Sequence, residues 1–297
     1  MKKSFTLIEI LVVIVVIGIL SSFILVGMSS ITNSANVAKS QAFLNSLDNS
    51  LLTARVSQWK LDSIIGSSAP YTTSDSWGTN DGTLVGPTHL PVLKNGHECV
   101  SGSCYQFDGI EDYINAGNLP NSLNQNFTVE AWSKRIGSTG SYGNIIQINT
   151  WGAGFGGFLI FDRNNGSIEG RIYSSVDSTE TSIHIENNVP NNIWRHYVFT
   201  WNKPYFNAYL NGVKLSPVIW DHDVGWTNNI VYIAQWAGYY FDGLIDDVRI
   251  YNQAIPTSEI KNNYFVGINN LYKNNNVTSN EFNQRIVELK FNLVNNE

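Results

Sequence analysis

The chain has 297 residues, 18 basic and 24 acidic, so its formal net charge is −6 and only 14% of it is charged. That lies well below the ~25% of an average soluble domain; it excludes the basic stripe of a nucleic-acid binder and the Lys, Glu and Leu density of a coiled coil. A composition 43% hydrophobic and 12% aromatic excludes disorder, and 37 asparagines supply much of the solubility that charge does not.

The first predicted element is a long helix. No charged residue occurs from Ile10 to Ala38, and Ile10–Leu20 is apolar apart from Gly18. A helix over residues 5–28 at ~1.5 Å per residue is long enough for a ~30 Å hydrocarbon core. Lys2 and Lys3 precede it, which places the N-terminus in the cytoplasm and the rest of the chain outside. Glu9 lies near the start of this apolar stretch; a carboxylate within a membrane helix costs ~2.5–3.5 kcal/mol at its centre and usually serves a function. Beyond the membrane, Ile31, Ala35, Ala38 and Ala42 form one stripe and Phe43, Leu47 and Leu51 another, so the helix is predicted to run to about Ala54.

The residues Lys3-Ser4-Phe5-Thr6-Leu7-Ile8-Glu9 and the apolar run after them resemble the N-terminus of type IV prepilins and pseudopilins. The resemblance implies a leader of residues 1–4, cleavage by a prepilin peptidase between Ser4 and Phe5, and methylation of the new amino group. Ser4 stands where the family usually has Gly. Glu9 becomes the fifth residue after the cut, with the family role of meeting the free amine of a neighbouring subunit. A buried acid is tolerable when a cation meets it. The implied partners are other pilin or pseudopilin subunits, packed through this helix. The implied location is the inner membrane before assembly and a surface filament after it. An uncut chain would instead be a signal-anchored surface protein.

From about Val56 the pattern changes to period-2 alternation broken by Asn, Gly and Pro. Strands are predicted at 104–107, 112–116, 127–134, 144–148, 157–162, 167–173, 181–186, 195–201, 206–210, 230–234 and 243–251. Short strands without helical crossovers predict an antiparallel sandwich, and Asn211-Gly212 predicts a tight hairpin.

Four motifs in order resemble the laminin-G-like branch of concanavalin A-like jelly rolls. They are Phe107-Asp108-Gly109 with Asp112-Tyr113-Ile114; Phe127 to Trp132; Trp194 to Val198 leading to Tyr209-Leu210-Asn211-Gly212; and Phe241 to Asn252. Trp59 to Asp62 and Gly78 to Leu84 look like the family's opening strand and first loop. The expected architecture is therefore a mainly β antiparallel jelly roll over 55–261, preceded by the helix and followed by an Asn-rich helical tail over 262–297. Members of this fold class bind glycans, bind proteins or act as spacers, so fold alone does not fix function.

Cys99 and Cys104 are expected to form a disulfide beside the first of these motifs; a zinc site would need four ligands, and only His97 and Glu98 are near. The resemblance also implies one structural Ca²⁺ held by Asp246, with Asp75 and Asn80 of the first loop as further ligands. The alternative role for these residues is to shape turns. No pair of strand carboxylates with glycosidase spacing occurs, so no catalytic residue is expected. Glu130 is expected to face solvent, and Asp246 and Asp247 to point to opposite faces. Trp132, Trp194 and Trp201 are expected in the core, and His196 in a structural role.

Trp151, Trp220, Trp226, Trp236, Tyr239 and Tyr240 lie in connections rich in Gly or Asn and are the candidates for binding a polysaccharide. In the tail, Thr278-x-x-Glu281 reads as a capping box opening a helix whose apolar face is Phe282, Ile286, Leu289 and Leu293. The whole predicts a pseudopilin or minor pilin that displays a non-catalytic lectin-like domain. A purely structural pilus subunit and a membrane-anchored glycan hydrolase are the alternatives.

Overall fold

The computed structural model describes residue 14 and residues 54–294, apart from 120–122, 124–125, 138–141, 150–155, 164–165 and 227–228. The chain divides into two units, Met1–Leu52 and Thr53–Glu297. Nearly all of the expected N-terminal helix, including Ser4, Phe5 and Glu9, lies outside the described residues. No described helix is long and apolar enough to cross a membrane.

The second unit is a sandwich of antiparallel sheets. Its strands in chain order are β1 Arg55–Trp59, β2 Thr72–Thr73, β3 Gly82–Val85, β4 Val92–Asn95, β5 Ser103–Asp108, β6 Tyr113–Asn118, β7 Asn126–Arg135, β8 Gly143–Ile148 and β9 Gly157–Asp162. They continue with β10 Ile168–Tyr173, β11 Glu180–Glu186, β12 Arg195–Asn202, β13 Tyr205–Leu210, β14 Val213–Lys214, β15 Val218–Ile219, β16 Ile230–Ile233, β17 Gln235–Trp236, β18 Tyr239–Tyr240 and β19 Asp242–Tyr251. One sheet has the order β14-β13-β12-β7-β19-β5-β4, with β1 added on β19 and β15 on β13. The other runs β11-β10-β9-β8-β16-β6-β3-β2, and β17 and β18 form a separate hairpin. The expected jelly roll is thus present, and the eleven predicted strands match observed ones to within a residue or two.

Alternation decides which side chains meet between the sheets. Phe127, Val129 and Ala131 of β7 join Tyr197, Phe199 and Trp201 of β12 and Phe158 and Ile160 of β9 in the main core. The Asn211-Gly212 hairpin has positive φ at both residues, as a tight turn matching strand twist requires.

The other face of the β7–β12–β19 sheet is covered too. Helix α1, Thr257–Lys273, and helix α2, Ser279–Val294, fold back on it. Tyr264, Ile268, Leu271 and Leu289 pack with Trp132, Trp194, Leu244 and Val100 in a second apolar cluster. The backbone N–H of Glu281 donates to Thr278 Oγ1, the N-terminal cap expected from sequence. Gly267 lets α1 approach closely, since a Cβ there would lie 2.3 Å from Trp132 Cζ2. The tail is therefore a docked helical hairpin.

That cover corrects the expectation for Glu130. It is fully buried, because α1 lies over the face that a bare sheet would turn to water. Its carboxylate pairs with Arg249 and with His196 Nε2 at 3.1 Å, and accepts from Asn263 Nδ2 of α1 at 3.0 Å. His196 packs against both Trp132 and Tyr264, at 4.8 and 6.0 Å, and those two rings also stack on each other at 5.6 Å.

Candidate functional site

The β19 acids Asp246 and Asp247 sit beside the disulfide loop. Register along β19 passes from Asp246↔Trp132 to Arg249↔Glu130, so the strand carries one extra residue there. Asp247 takes the left-handed conformation, φ 47°, at this bulge. Alternation fails at that point, which corrects the expected opposite facing of Asp246 and Asp247: Asp247 is close enough to raise the Asp246 carboxyl.

Cys99 and Cys104 form the expected disulfide, with Cα atoms 5.5 Å apart. The loop it closes lies over Asp246, whose Oδ2 accepts from Val100 N at 2.8 Å and Ser101 N at 3.0 Å. Ser103 N donates to Asp62 Oδ1 at 2.7 Å. Asp246 Oδ1 is buried without a hydrogen-bond partner. Burial first, then Asp247, pushes the Asp246 carboxyl well above its ordinary range, and burial also raises Asp62. A free carboxylate oxygen such as Asp246 Oδ1 suits a hard cation, but among the described residues the three side chains close enough to share one are His89, Asp108 and Glu111, away from this loop. Asp75 is engaged differently: its Oδ1 accepts from the N–H groups of Gln58, Trp77 and Gly78, and its Oδ2 from Asn80. Asn80 Nδ2 donates to Ser57 Oγ at 3.2 Å. Asp75 and Asn80 thus shape the first loop. Asp62 closes the Trp59 to Asp62 match, but only its long-range contact with Ser103 sets it beside the disulfide loop, which no local spacing records.

The outward face of the second sheet holds the other candidate site. Register aligns Ser182, Arg171, Leu159, Gln147, Tyr232, Asn115, Thr83 and Thr72 in one row across all eight strands. Polar and aromatic residues dominate this row, whereas the intervening positions, such as Phe158, Ile160, Ile172 and Ile233, fill the core.

At one end of the sheet the β17–β18 hairpin closes a recess. Its turn residues Ala237 and Gly238 both have positive φ, 49° and 84°. That turn presents Trp236 stacked on Tyr239, with ring centroids 5.3 Å apart. Trp236 meets Phe161 edge-on at 5.3 Å, Phe161 stacks on Tyr142 at 5.1 Å, and Tyr142 meets Tyr239 edge-on at 5.4 Å. The four rings form a closed circuit. With Arg163 and Arg171 they line a recess of about 200 Å³. That is smaller than the ~300–1,000 Å³ of drug-sized ligand pockets, a size for one unit of a longer chain.

The arginines are anchored from beneath. Glu169 is fully buried; its Oε1 lies 2.9 Å from Arg163 Nη2 and 2.5 Å from Arg171 Nε, and its Oε2 lies 3.4 Å from His184 Nε2. Its register partners on β9 and β11 are Phe161 and His184. Tyr240 extends the aromatic surface toward Tyr113, 6.2 Å away, and Tyr113 toward Tyr232, 5.9 Å away.

Of the six aromatic candidates, the structure brings Trp236, Tyr239 and Tyr240 together on this hairpin. Trp220 and Trp226 are corrections. Each is only 5% exposed and belongs to the core, Trp220 against Trp201 and Trp226 against Phe127. Their Gly- and Asn-rich surroundings signalled a loop, but these loops fold inward at one end of the sandwich. Trp151 lies outside the described residues. Tyr142, Phe161, Arg163, Arg171 and Glu169 were not singled out for the site. The Glu169–Arg171 alternation with Ile168, Gly170 and Ile172 was a usable signal; β9 gave none, because Phe158 to Phe161 is apolar on both faces.

Among solved structures, domain 4 of AbnA, a GH43 extracellular arabinanase from Geobacillus stearothermophilus solved with arabinotriose, is similar at 18% identity and TM-score 0.52, over 70% of this chain and 97% of that one. The receptor-binding domain of botulinum neurotoxin C/D mosaic serotype is similar at 17% identity and TM-score 0.53, over 73% of this chain. A Trypanosoma rangeli sialidase in complex with 2,3-difluoro-KDN follows at 14% identity and TM-score 0.52, over 71% of this chain and 32% of that one. The chain spans about half the length of the toxin domain, 52%. At these identities the likeness is one of fold. No curated protein matches the chain. Residues 1–25 match the prokaryotic N-terminal methylation motif. Residues 108–261, more than half of the chain, match the concanavalin A-like lectin/glucanases superfamily, to which this chain therefore belongs.

Proposed function

We propose that this protein is a pilin-like subunit that carries a non-catalytic, glycan-binding sandwich to the cell surface. The observation that carries the reading is the joining of an N-terminal methylation motif to a lectin-like sandwich whose outward face holds the aromatic and arginine recess. The motif supports processing before Phe5, membrane residence until assembly, and packing against other pilin or pseudopilin subunits through Glu9. A non-catalytic role is supported by Glu169, the buried acid of the recess: two arginines hold its carboxylate, and a glycosidase needs a second carboxylate opposite the first. The deciding measurement is a mass spectrum of the N-terminus from purified surface filaments. It is expected to begin at methylated Phe5, and Glu9→Ala is expected to leave the chain in the membrane and out of filaments. An uncut chain, absent from filaments, would sink the reading.

A structural Ca²⁺ is proposed with it. Asp246, whose Oδ1 is buried without a partner under the disulfide loop, would be the side chain that holds the ion. Bound there, it would neutralise a carboxylate that burial penalises, and so fix the loop. Saturating Ca²⁺ at ~100 times its Kd is expected to stabilise the fold by ~2.7 kcal/mol. Thermal melts with CaCl₂ and with chelator should differ accordingly, and the difference should vanish in Asp246→Asn. Coincident melts of the unaltered protein would count against the ion.

A further inference from the structure

The recess presents charge as well as aromatic walls. We infer that it selects sugars bearing a carboxylate, such as hexuronate units of an acidic polysaccharide; this rests on the glycan-binding reading and deepens it. The chain as a whole is acidic, with net charge −6. At the recess the balance reverses. Arg163 and Arg171 face one carboxylate, Glu169, and that carboxylate is fully buried beneath them. Their side chains remain 29% and 26% exposed, so the charge reaching the surface is cationic. Glu169 fixes both guanidiniums in place. A planar guanidinium held in this way matches a carboxylate with two parallel hydrogen bonds, which a neutral sugar cannot supply. Aromatic walls exclude water and strengthen that contact.

An aromatic circuit alone would also suit a quaternary ammonium group. Here Arg171 Cζ already lies 5.6 Å from the Phe161 centroid, so a cation occupies that neighbourhood and a second would be repelled. An anion whose sugar ring rests on Trp236 and Tyr239 satisfies both the charge and the apolar walls. Tyr240, Tyr113 and Tyr232 continue the surface along the sheet for further units of the same polymer.

The test uses the full chain in detergent micelles and an array in which each acidic oligosaccharide stands beside its own carboxyl methyl ester. At least one acid is expected to bind tenfold or more tightly than its ester, and the preference is expected to shrink in high salt. Arg171→Gln should abolish the preference. Ser182→Glu, opposite Arg171 in register and leaving the Glu169 pairs intact, should weaken acid binding about tenfold without altering the melting temperature. Equal binding of acid and ester, or a preference unchanged in both variants, overturns the inference and leaves the glycan reading standing. Failure of the whole array to bind overturns both.

Discussion

Replacing Glu130 by Ala is expected to cost about 3–5 kcal/mol, the penalty for leaving a buried charge without its partner. Arg249 is held against Glu130 on β19, and His196 and Asn263 complete the contacts from β12 and α1. Without the carboxylate, Arg249 retains Asp247 Oδ1 at 3.3 Å but faces an empty, water-poor space on the other side. Urea denaturation of Glu130→Ala, Arg249→Ala and the double variant measures this directly. The double variant should be more stable than the sum of the single losses implies. A loss below about 1 kcal/mol in Glu130→Ala would show that the pair is not structural.

The same group sets an acid limit. Burial alone would raise the Glu130 carboxyl, but Arg249, His196 and Asn263 together outweigh it and hold the group at about 2, below its ordinary 4.5. A lowered folded value stabilises the fold above the unfolded value and loses that contribution as the pH falls. Its stabilisation, about 3 kcal/mol, is thus present above pH 4.5 and lost between there and about pH 2. Asp112 and Asp162 behave in the opposite sense. Burial raises both to about 7, so their contribution is fully present below their ordinary 3.8 and disappears as the pH rises through 7. An acid melt of Glu130→Gln should lack the steep fall of the unaltered protein toward pH 2.

Removing residues 257–297 is the second change with a large expected effect. It strips Tyr264, Ile268, Leu271 and Leu289 from Trp132, Trp194 and Leu244, and opens the Glu130–Arg249 pair to water. At ~1.5–3 kcal/mol per fully buried large side chain, the loss exceeds 5 kcal/mol. For a domain of this size that is ~10–20 °C in Tm, or failure to fold. Gly267→Leu is the milder form: it pushes α1 away from Trp132 and should cost ~1–3 kcal/mol. The readouts are thermal melting and protease sensitivity. A truncated chain that melts like the full one would mean that the hairpin is only an appendage.

Period-2 alternation marks one face, and β7, β9 and β12 appeared in sequence close to where they lie. It does not say what covers the other face. Glu130 alternates with Val129 and Ala131 and so reads as a solvent residue, until α1 is folded over it. Asp246 and Asp247 read as opposed, because a bulge leaves no trace in the spacing. The tryptophans diverged for the same kind of reason: the loops bearing Trp220 and Trp226 turn into the core, while the one bearing Trp236 turns outward on a two-residue hairpin.

The sequence by itself determined the methylation motif, the sandwich class, the strand positions, the disulfide pair and the capped tail helix. All of these depend on neighbours a few residues apart, whose periodicity and turn chemistry act locally. Tertiary structure alone decided the recess and the buried ion cluster. Phe161, Arg171 and Trp236 come from three segments, and Glu130, Arg249, His196 and Asn263 from four. Strand order and helix docking bring these groups together through burial and charge pairing between distant segments, forces that no local spacing records.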